Sequence, residues 1–340
     1  DDPTKSRHDI VTVTAEDLSE GGERISHNLT VNNVAPVVDA VTLATGPIEE
    51  DQETQLTVAF HDVGVLDTHT VVIDWGDGAV SEVETAAGSS AVTVGHRYLD
   101  DNPTDTPQDD IVIGVTVVDD DLGRGFGTAV ISVHNVQPEG VSLTRVEPGP
   151  VLEGEVATFI IEFEDPGTID EHWVWIDWDE DGVIDSDTGV DEGARTVIVG
   201  YTYVDDDPTS TPVDSYDVDI TLYDDDRGET LWVVPLDVHN VAPEITALDV
   251  ADIDESEFAV LEVTFTDPGV VDTHEVVVDW GDSTVIDTAL LAGERSVLFM
   301  HRYVDDDPTA SPSDEYTITV TVTDDDTGTD TDTTVIEVFN

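Results

Sequence analysis

The sequence predicts an all-β protein made of tandem sandwich-like repeats, and three observations lead to that prediction. Two short phrases recur along the chain at intervals of 100 to 105 residues, which indicates an array of similar units. Within each unit, short stretches of alternating apolar and polar residues are separated by clusters of Gly, Pro and Asp, as in strands joined by turns. No long stretch has the periodicity of an amphipathic helix.

The repeats are delimited by the recurring phrases. The phrase Asn-Val-X-Pro occurs at Asn33–Pro36, Asn135–Pro138 and Asn240–Pro243. An acidic Pro-Thr phrase places Pro3, Pro103, Pro208 and Pro308 at matching positions. The chain therefore divides into the C-terminal part of a preceding repeat at 1–34, a first repeat at 35–136, a second at 137–241 and a third at 242–340. Because the two strands of the opening part are marginal alone, we expect the chain to be a window from a longer array.

Each repeat is expected to hold about seven short strands. In the third repeat they lie near Ile245 and Thr284 and at Ala259–Thr266, His274–Trp280, Ser296–Tyr303, Tyr316–Thr323 and Thr333–Phe339. In Tyr316–Thr323 every second residue is Thr, which gives the strand one polar and one apolar face. Ile10–Thr14 and Ser26–Val31 match the last two strands. Seven strands in about 100 residues are typical of an immunoglobulin-like sandwich of two packed sheets.

Several motifs add a resemblance to a known family. Val71–Gly78 and Val276–Ser283 contain a Trp-Gly-Asp turn, and His-Arg-Tyr or Tyr-Thr-Tyr follows at 96–98, 201–203 and 301–303, ahead of strands that end in Asp-Asp-Asp. These motifs resemble those of the PKD domain family, immunoglobulin-like modules of cell-surface and secreted proteins. The second repeat departs from the pattern, with Asp177–Gly182 in place of the short turn. The resemblance implies a PKD-type sandwich, an extracellular or cell-surface location and a spacer or interaction role.

Alternation also assigns the tryptophan of this turn to the core. Val71, Ile73 and Trp75 are apolar at every second position, so they share one face of their strand. Trp178 and Trp280 occupy the matching positions in the other two repeats. We therefore predict a structural, buried role for the three indoles and not a ligand platform.

Composition excludes several classes of function. The 340 residues include 79 acidic side chains, 10 basic side chains and no cysteine, and the formal net charge is −69. Binding to nucleic-acid phosphates or to anionic membrane surfaces needs clustered Lys and Arg, so neither is expected. Without cysteine there are no disulfides, zinc thiolate sites or thiol nucleophiles. No apolar run is long enough to span a bilayer, so no membrane insertion is expected in this segment.

The acidic residues concentrate in three loops of each repeat. The first loop contains Asp62 and Asp67, Asp165 and Asp170, or Asp267 and Asp272. The second contains Asp100 and Asp101, Asp205, Asp206 and Asp207, or Asp305, Asp306 and Asp307. The third contains Asp119, Asp120 and Asp121, Asp224, Asp225 and Asp226, or Asp324, Asp325 and Asp326. Adjacent carboxylates repel one another, and a hard cation that takes six to eight oxygen ligands removes that repulsion.

Strand direction places these loops at the boundaries between repeats. In an up-and-down order of strands, the first and third loops lie at the end where a repeat begins and the second lies where it finishes. Successive repeats then face each other with carboxylates on both sides of the Asn-Val-X-Pro linker. We predict Ca²⁺ in or beside these junctions, stiffening the array into a rod. The alternative is an acidic surface that binds water, as in salt-adapted proteins, and the two explanations are compatible.

A separate calcium loop is predicted in the second repeat. Asp177, Asp179, Asp181 and Asp185 occupy loop positions 1, 3, 5 and 9, with Gly182 at position 6, which is the spacing of a calcium-binding loop. Position 12 is Thr188 where a bidentate Glu is usual, so the site would be weak or would borrow Asp187. The alternative is an elongated acidic hairpin. The histidines lack the ligand spacing of a zinc site, and we expect His69, His172 and His274 to hydrogen-bond to loop carboxylates.

Two kinds of surface feature indicate partners or modification. Trp173 and Trp175 point outward by alternation, with Tyr223 on the same face, and indicate a glycan platform or a contact with a neighbouring copy of the chain; the alternative is that a loop or sugar simply covers them. Glycosylation is possible at one N-linked sequon and in Pro/Thr-rich loops that ordinary turn chemistry explains equally well. The candidate residues are Asn28, Thr104, Thr106, Thr209, Thr211 and Thr309.

These observations favour a structural protein over a catalyst. The same loops recur in every repeat, whereas a catalytic site would require one repeat to differ chemically from the others. No nucleophile–base combination or phosphate-binding glycine loop is present in the sequence. The sequence therefore predicts a non-catalytic, calcium-stiffened array acting as a fibre, stalk or adhesin segment. The alternative is an array of carbohydrate-binding modules that uses the exposed aromatic residues of the second repeat.

Overall fold

The computed structural model describes residues 8–16, 24–206, 209–305 and 311–340. These residues form 26 β-strands and no helix. The first two strands, β1 (His8–Glu16) and β2 (Arg24–Asn32), make an antiparallel hairpin. The side chains described in this hairpin are exposed on both faces, as expected for two strands without a second sheet to pack against.

Three repeated groups of eight strands follow the hairpin. The first group is β3 (Val37–Leu43), β4 (Ile48–Glu49), β5 (Glu53–His61), β6 (His69–Asp74), β7 (Val80–Thr85), β8 (Ala91–Arg97), β9 (Gln108–Asp119) and β10 (Arg124–His134). The second is β11 (Glu139–Arg145), β12 (Val151–Leu152), β13 (Ala157–Glu164), β14 (His172–Asp177), β15 (Ser186–Val190), β16 (Thr196–Tyr201), β17 (Val213–Asp224) and β18 (Glu229–His239). The third is β19 (Glu244–Val250), β20 (Ile253–Asp254), β21 (Phe258–Thr266), β22 (His274–Asp279), β23 (Val285–Leu290), β24 (Ser296–Arg302), β25 (Ser313–Asp324) and β26 (Thr329–Phe339).

Each group folds into a sandwich of a three-stranded and a five-stranded sheet. In the first repeat the sheets have the orders β3-β5-β8 and β4-β10-β9-β6-β7, and the other two repeats use the same orders. All pairs are antiparallel except that of the two-residue strand, which lies parallel to the last strand of its repeat. The prediction of tandem all-β sandwiches with about seven strands each is confirmed. The two-residue strand is the addition that the sequence did not reveal, because two residues are too short for alternation to be recognised.

The core of each sandwich contains the tryptophan assigned to it by alternation. Trp75, Trp178 and Trp280 are fully buried, so that prediction is also confirmed. In every repeat a buried tyrosine hydroxyl donates a hydrogen bond to the tryptophan carbonyl oxygen, at 3.0 Å for Tyr98, 3.1 Å for Tyr203 and 2.8 Å for Tyr303. The bond fixes the turn after the tryptophan to the strand that precedes the second acidic loop.

Candidate metal centres at the junctions between repeats

The linker between the first and second repeats is hydrogen-bonded to both of them. The Val136 amide donates to Glu50 Oε1 of the first repeat at 2.7 Å. The neighbouring Asn135 donates through Nδ2 to Asp224 Oδ2 of the second repeat at 2.9 Å. A third bond joins the repeats directly, from the Thr168 amide to the Leu99 carbonyl oxygen at 3.1 Å. We call this contact region the first junction.

The second junction, between the second and third repeats, reproduces these contacts. The Val241 amide donates to Glu153 Oε1 at 2.7 Å, and Asn240 Nδ2 donates to Asp324 Oδ2 at 3.0 Å. The Val270 amide donates to the Val204 carbonyl oxygen at 3.1 Å. The two junctions therefore use the same bonds at matching positions.

Two groups of buried carboxylates meet in the first junction. Glu50, Asp100 and Asp170 each contribute an oxygen to a set in which all separations are within 4.8 Å. Asp100, Asp101 and Asp226 form another such set. In both sets the first repeat and the second repeat contribute ligand atoms, and all five side chains are buried.

In the second junction, oxygens of Glu153, Asp205 and Asp206 lie within 4.8 Å of one another. The carboxyl group of Asp272, from the third repeat, is within hydrogen-bonding reach of Asp205. Asp326, at the position that corresponds to Asp226, is also buried. Burial raises the pKa of Asp206, and the charge of Asp326 raises it further. Carboxylates of both repeats therefore converge here as they do in the first junction.

These carboxylates lack the hydrogen-bond donors that burial requires. Both side-chain oxygens of Asp101, Asp170, Asp206 and Asp272 are inaccessible to solvent and accept no hydrogen bond from an N–H or hydroxyl group of the described residues. Removing an ionised carboxylate from water without a partner is strongly unfavourable, so a proton or a cation must compensate it. The junctions are therefore built to hold positive charge.

The pKa values of the junction carboxyls reflect this environment. Burial, together with nearby carboxylates, raises the pKa of Glu50 to about 9 and that of Glu153 to about 8. The same causes raise the pKa of Asp170 to about 8 and that of Asp206 to about 7. Burial also raises the pKa values of Asp101, Asp226 and Asp272. In the absence of a metal ion, the junctions therefore bind protons near neutral pH.

The donor set fits a calcium ion. Ca²⁺ prefers carboxylate and carbonyl oxygens at about 2.3–2.6 Å, so oxygens on opposite sides of the ion lie about 4.6–5.2 Å apart. The carboxylate groups of the junctions are within that span. The amide oxygens of Asn135 and Asn240 are also buried without a hydrogen-bond partner and are of the type that Ca²⁺ accepts. The groups centred on Asp100 and on Asp205 contain only oxygen donors, which suits a hard cation better than zinc.

Glu50 and Glu153 were not identified from the sequence. Each follows the two-residue strand, β4 or β12, that runs parallel to the last strand of its repeat. Because of this pairing, a glutamate from the early part of the repeat's sequence lies beside the C-terminal end of its last strand, where the next repeat docks. The recurrence of Glu50, Glu153 and Glu255 before the second long strand is the signal in the sequence, but single glutamates are inconspicuous in so acidic a chain.

The third repeat shows that a following repeat causes the burial. Glu255 corresponds to Glu50 and Glu153 but is partly exposed, and Asp305 corresponds to Asp100 and Asp205 but is exposed. Glu50 and Glu153 are 1% and 0% exposed. The docked repeat therefore removes these carboxylates from water.

The remaining junction candidates take supporting positions. Asp119 lies in the third acidic loop, at the end of the sandwich where the first repeat begins. It accepts a hydrogen bond from the Asn33 side-chain amide at 2.9 Å, as Asp224 does from Asn135. Asp67 is buried beside it, and burial followed by the charges of Asp62 and Asp120 raises the pKa of Asp67.

Two further carboxylates accept hydrogen bonds from backbone amides. Asp225 accepts from the Glu171 amide and Asp325 from the Thr273 amide. Asp121 is buried in the same loop as Asp119. Asp207, Asp306, Asp307 and Thr309 lie outside the described residues.

The histidines of the first loop bind loop carboxylates. His69, His172 and His274 contact, through Nε2, the Asp seven residues earlier: Asp62 at 3.1 Å, Asp165 at 2.9 Å and Asp267 at 2.7 Å. The other aspartate of the loop, Asp170 or Asp272, is thereby left for the junction. One nitrogen of His172 also lies within 4.8 Å of oxygens of Asp165 and Asp170.

The acidic hairpin of the second repeat is closed by its own backbone. Asp177 accepts hydrogen bonds from the amides of Asp179 and Gly182, and Asp185 accepts one from the Trp178 amide. Asp181 accepts from the Val183 amide. Asp187 and Thr188 lie in β15, beyond the loop, and Asp187 accepts the Trp175 indole N–H at 3.0 Å. The carboxylates at positions 1, 3, 5 and 9 are thus gathered in one loop, while Asp187 is engaged elsewhere.

The outer face of the five-stranded sheet in the second repeat carries an aromatic patch. Trp173 and Trp175 are 38% and 37% exposed, and the rings of Trp175 and Tyr223 are 4.6 Å apart between centroids. Val233 and Pro235 are exposed on the same face. The outward orientation expected from alternation is therefore present, and one indole N–H is already bonded within the protein.

The candidate glycosylation sites take part in local hydrogen bonds. Asn28 lies in β2 and accepts a hydrogen bond from the Thr12 hydroxyl. Thr104 and Thr209 donate through their hydroxyls to Asp109 and Asp214. Each also lies within hydrogen-bonding distance of a second candidate, Thr106 or Thr211. The Pro/Thr-rich loops therefore have the turn chemistry that was the alternative to modification.

No family model matches the chain, and no curated protein does. Among solved structures, the chain is similar to the crystal structure of a tetra-tandem repeat in the extending region of a large adhesion protein. The TM-score is 0.47 and the identity 13%, over 97% of this chain and 81% of the other. No helix in the described residues is long and apolar enough to cross a membrane.

Proposed function

We propose that this chain is a non-catalytic structural array whose sandwiches are held in fixed succession by calcium ions bound at the junctions. The observation that carries the proposal is the burial of Asp101, Asp170, Asp206 and Asp272 between repeats, with no N–H or hydroxyl donor to either oxygen. Calcium supplies the charge that these carboxylates require and links two repeats through the same ion. The array then acts as a stalk, a fibre or an adhesin segment.

Electrostatics explains why the metal would control stiffness. Without a cation, the carboxylates on the two sides of a junction repel each other once the pH exceeds their raised pKa values, and the hydrogen bonds at Val136, Asn135 and Thr168 must oppose that repulsion. With calcium bound, carboxylates of both repeats become ligands of the same ion. The ion then cross-links the two repeats beside the covalent linker. The free repeats would swivel, whereas the loaded array would be a rod.

The proposed location is extracellular or cell-surface. The PKD resemblance of the sequence implies it, and the absence of lysine-rich surfaces is compatible with it. Calcium sites in extracellular modules work at affinities of about 10⁻⁴–10⁻³ M, which suits a structural role in a calcium-rich medium. A catalytic role is not supported, since the acidic groups recur at both junctions in the same arrangement.

The decisive experiment measures thermal unfolding and particle length with calcium and with chelator at matched ionic strength. A ligand that binds only the folded junction raises the melting temperature, by an amount that grows with its concentration. Small-angle scattering should show a longer, narrower particle in calcium. An unchanged melting temperature and an unchanged scattering profile would instead favour a purely solvating acidic surface.

A second candidate function is carbohydrate binding by the second repeat. The exposed indoles of Trp173 and Trp175 beside Tyr223 favour it, because flat aromatic faces stack on sugar rings. A neighbouring copy of the chain is the other ligand that this face would accept. Binding on a glycan array that is lost in a Trp173→Ala/Trp175→Ala double variant would support the glycan, and concentration-dependent association lost in the same variant would support the second copy.

A further inference from the structure

We infer that each junction binds two divalent cations, with Asp100 in the first junction and Asp205 in the second as the carboxylate shared between them. The inference rests on the proposed function and specifies the metal centre that performs it. It assigns a paired site, where a single bound ion would be the simplest expectation.

The geometry of the first junction provides two ligand sets with one common member. Glu50, Asp100 and Asp170 form one set, and Asp100, Asp101 and Asp226 form the other. The two oxygens of Asp100 accept hydrogen bonds from the backbone and side-chain N–H groups of Asn102. A carboxylate has about four lone-pair sites, so these oxygens retain acceptor capacity for both ions. This is the arrangement of a bridging ligand.

The second junction contains the same two positions. Asp205 lies within reach of Asp272, which corresponds to the contact between Asp100 and Asp170. Asp206 is acted on most strongly, after burial, by the charge of Asp326, which corresponds to the pairing of Asp101 with Asp226. The second junction therefore has a carboxylate set around Asp205, with Asp272 and Asp326 at the positions of Asp170 and Asp226.

The buried charge requires more than one divalent ion. The five carboxylates of the first junction carry five negative charges when ionised. One divalent cation leaves three of these uncompensated in a region removed from water, whereas two cations leave one. Because uncompensated buried charge is costly, the balance favours two ions.

The supply of oxygen ligands is also sufficient for two ions. The five carboxylates have ten oxygens, and the buried Asn135 amide oxygen adds another. Each Ca²⁺ takes six to eight oxygens, a bridging carboxylate counts toward both ions, and water completes the remainder.

Two ions have a mechanical consequence that one ion lacks. The first set joins Glu50 and Asp100 to the loop that contains Asp170, and the second joins Asp100 and Asp101 to the loop that contains Asp226. Two attachment points on different loops, together with the covalent linker, prevent both bending and rotation of one repeat on the next. A single ion would leave rotation about the line joining it to the linker.

The test counts bound calcium ions on the full chain and compares single variants. Glu50→Gln and Asp101→Asn each remove a ligand from one set only, while Asp100→Asn removes the shared ligand. Native mass spectrometry or equilibrium dialysis at saturating calcium should show the loss of one ion for each of the first two variants and two ions for Asp100→Asn. Asp217→Asn, at an exposed position in β17, is the matched control and should lose none. Ions bound in the acidic hairpin cancel in these differences.

The possible outcomes separate this inference from the proposed function. If Asp100→Asn and the Glu50→Gln/Asp101→Asn double variant each lose a single ion, the junction is mononuclear, and the paired site is wrong while calcium stiffening stands. If no variant loses an ion and calcium does not change the melting temperature, both are wrong. Energy transfer between Tb³⁺ and Eu³⁺ bound together to the unaltered chain gives a second readout, because it requires two neighbouring ions. Its absence in a chain that binds both lanthanides at the junction would also overturn the paired site.

Discussion

Asp101 of the first repeat and Asp226 of the second lie in contact inside the first junction, with their carboxyl groups within hydrogen-bonding reach of each other. The two side chains are 0% and 1% exposed. Two ionised carboxylates at this separation repel each other strongly, so the contact is stable only with a proton or a cation between them. We therefore expect the junction to be the element of the molecule that responds to calcium and to pH.

Neutralising Asp101 should have opposite effects with and without calcium. In chelator, at a pH above the raised pKa of Asp101 where its carboxyl group is ionised, Asp101→Asn removes one buried charge. It should then raise the melting temperature by several degrees, which corresponds to about 1–3 kcal/mol for one unsatisfied polar group. In calcium the same change removes a ligand and should lower it. Differential scanning calorimetry in both conditions measures the sign change. Asp217→Asn is the control, and a shift of the same sign in both conditions would argue against a cation at Asp101.

The pH dependence in metal-free buffer follows from the raised pKa values. The folded junction keeps protons on Glu50 and Asp170 up to about pH 9 and about pH 8, whereas the unfolded chain releases them near about pH 4. Between these limits the folded state binds more protons, so the free energy of unfolding should fall as the pH rises. In saturating calcium this fall should disappear, because the metal keeps protons off the same oxygens in the folded state and the unfolded carboxyls carry none above about pH 5. Parallel melting curves from about pH 5 to about pH 9 in the two media would contradict this account.

The close approach of the second and third repeats at the second junction should require glycine at position 154. Its φ is +68°, and a Cβ atom there would lie 2.6 Å from Pro268 Cβ and 2.8 Å from the Pro268 carbonyl oxygen. Gly154→Ala should therefore displace the third repeat, weaken calcium binding at the second junction and shorten the particle seen by scattering. Gly88→Ala is the matched control, since Gly88 has a φ of +80° and an added Cβ there would have no atom within 4 Å. The two variants therefore have in common only the backbone cost of about 1–2 kcal/mol. Equal effects of the two variants would show that backbone strain alone is responsible.

Removal of a core hydroxyl should affect a repeat without affecting the metal. Tyr98→Phe deletes the hydrogen bond to the Trp75 carbonyl oxygen and leaves that buried acceptor without its donor, at a cost of about 1–3 kcal/mol. Denaturant unfolding should show the loss in the first repeat, with the calcium stoichiometry unchanged. Tyr203→Phe should cause a similar loss in the second repeat, since its bond to Trp178 is the same. A loss of bound calcium in either variant would mean that the junctions depend on the core turn.

Glutamine substitutions at three equivalent glutamates should show which of them bind calcium because a following repeat is docked against them. Glu50→Gln and Glu153→Gln replace buried ligands, whereas Glu255→Gln replaces the matching residue at a position that is partly exposed. We expect the first two to lower the melting temperature in calcium by several degrees and the third to leave it unchanged. The measurement is the calcium-dependent shift of each variant against the unaltered chain. A comparable shift for Glu255→Gln would place the metal within a repeat and not between repeats.

The repeats, the strands and the buried tryptophans could be predicted from the sequence because they depend on local patterns. Alternation in Tyr316–Thr323 and the recurrence of Asn-Val-X-Pro need no knowledge of distant contacts. Strand β26 nevertheless begins at Thr329, earlier than the expected Thr333, because its first residues alternate Thr and Asp and have no apolar face to reveal them. Gly, Pro and Asp in turns likewise identified the acidic loops, but they did not indicate which carboxylates of different loops contact one another.

The amino-acid sequence by itself determined that this protein is a series of β-sandwiches with carboxylates concentrated in their loops. Only the tertiary structure decided which carboxylates meet, because a junction assembles segments from two repeats that are far apart in the chain. Glu50 belongs to the junction through the parallel pairing of β4 with β10, and Asp170 is available to it because His172 bonds to Asp165 instead. Burial of these charges is a property of two docked repeats, and no single repeat or local pattern contains it.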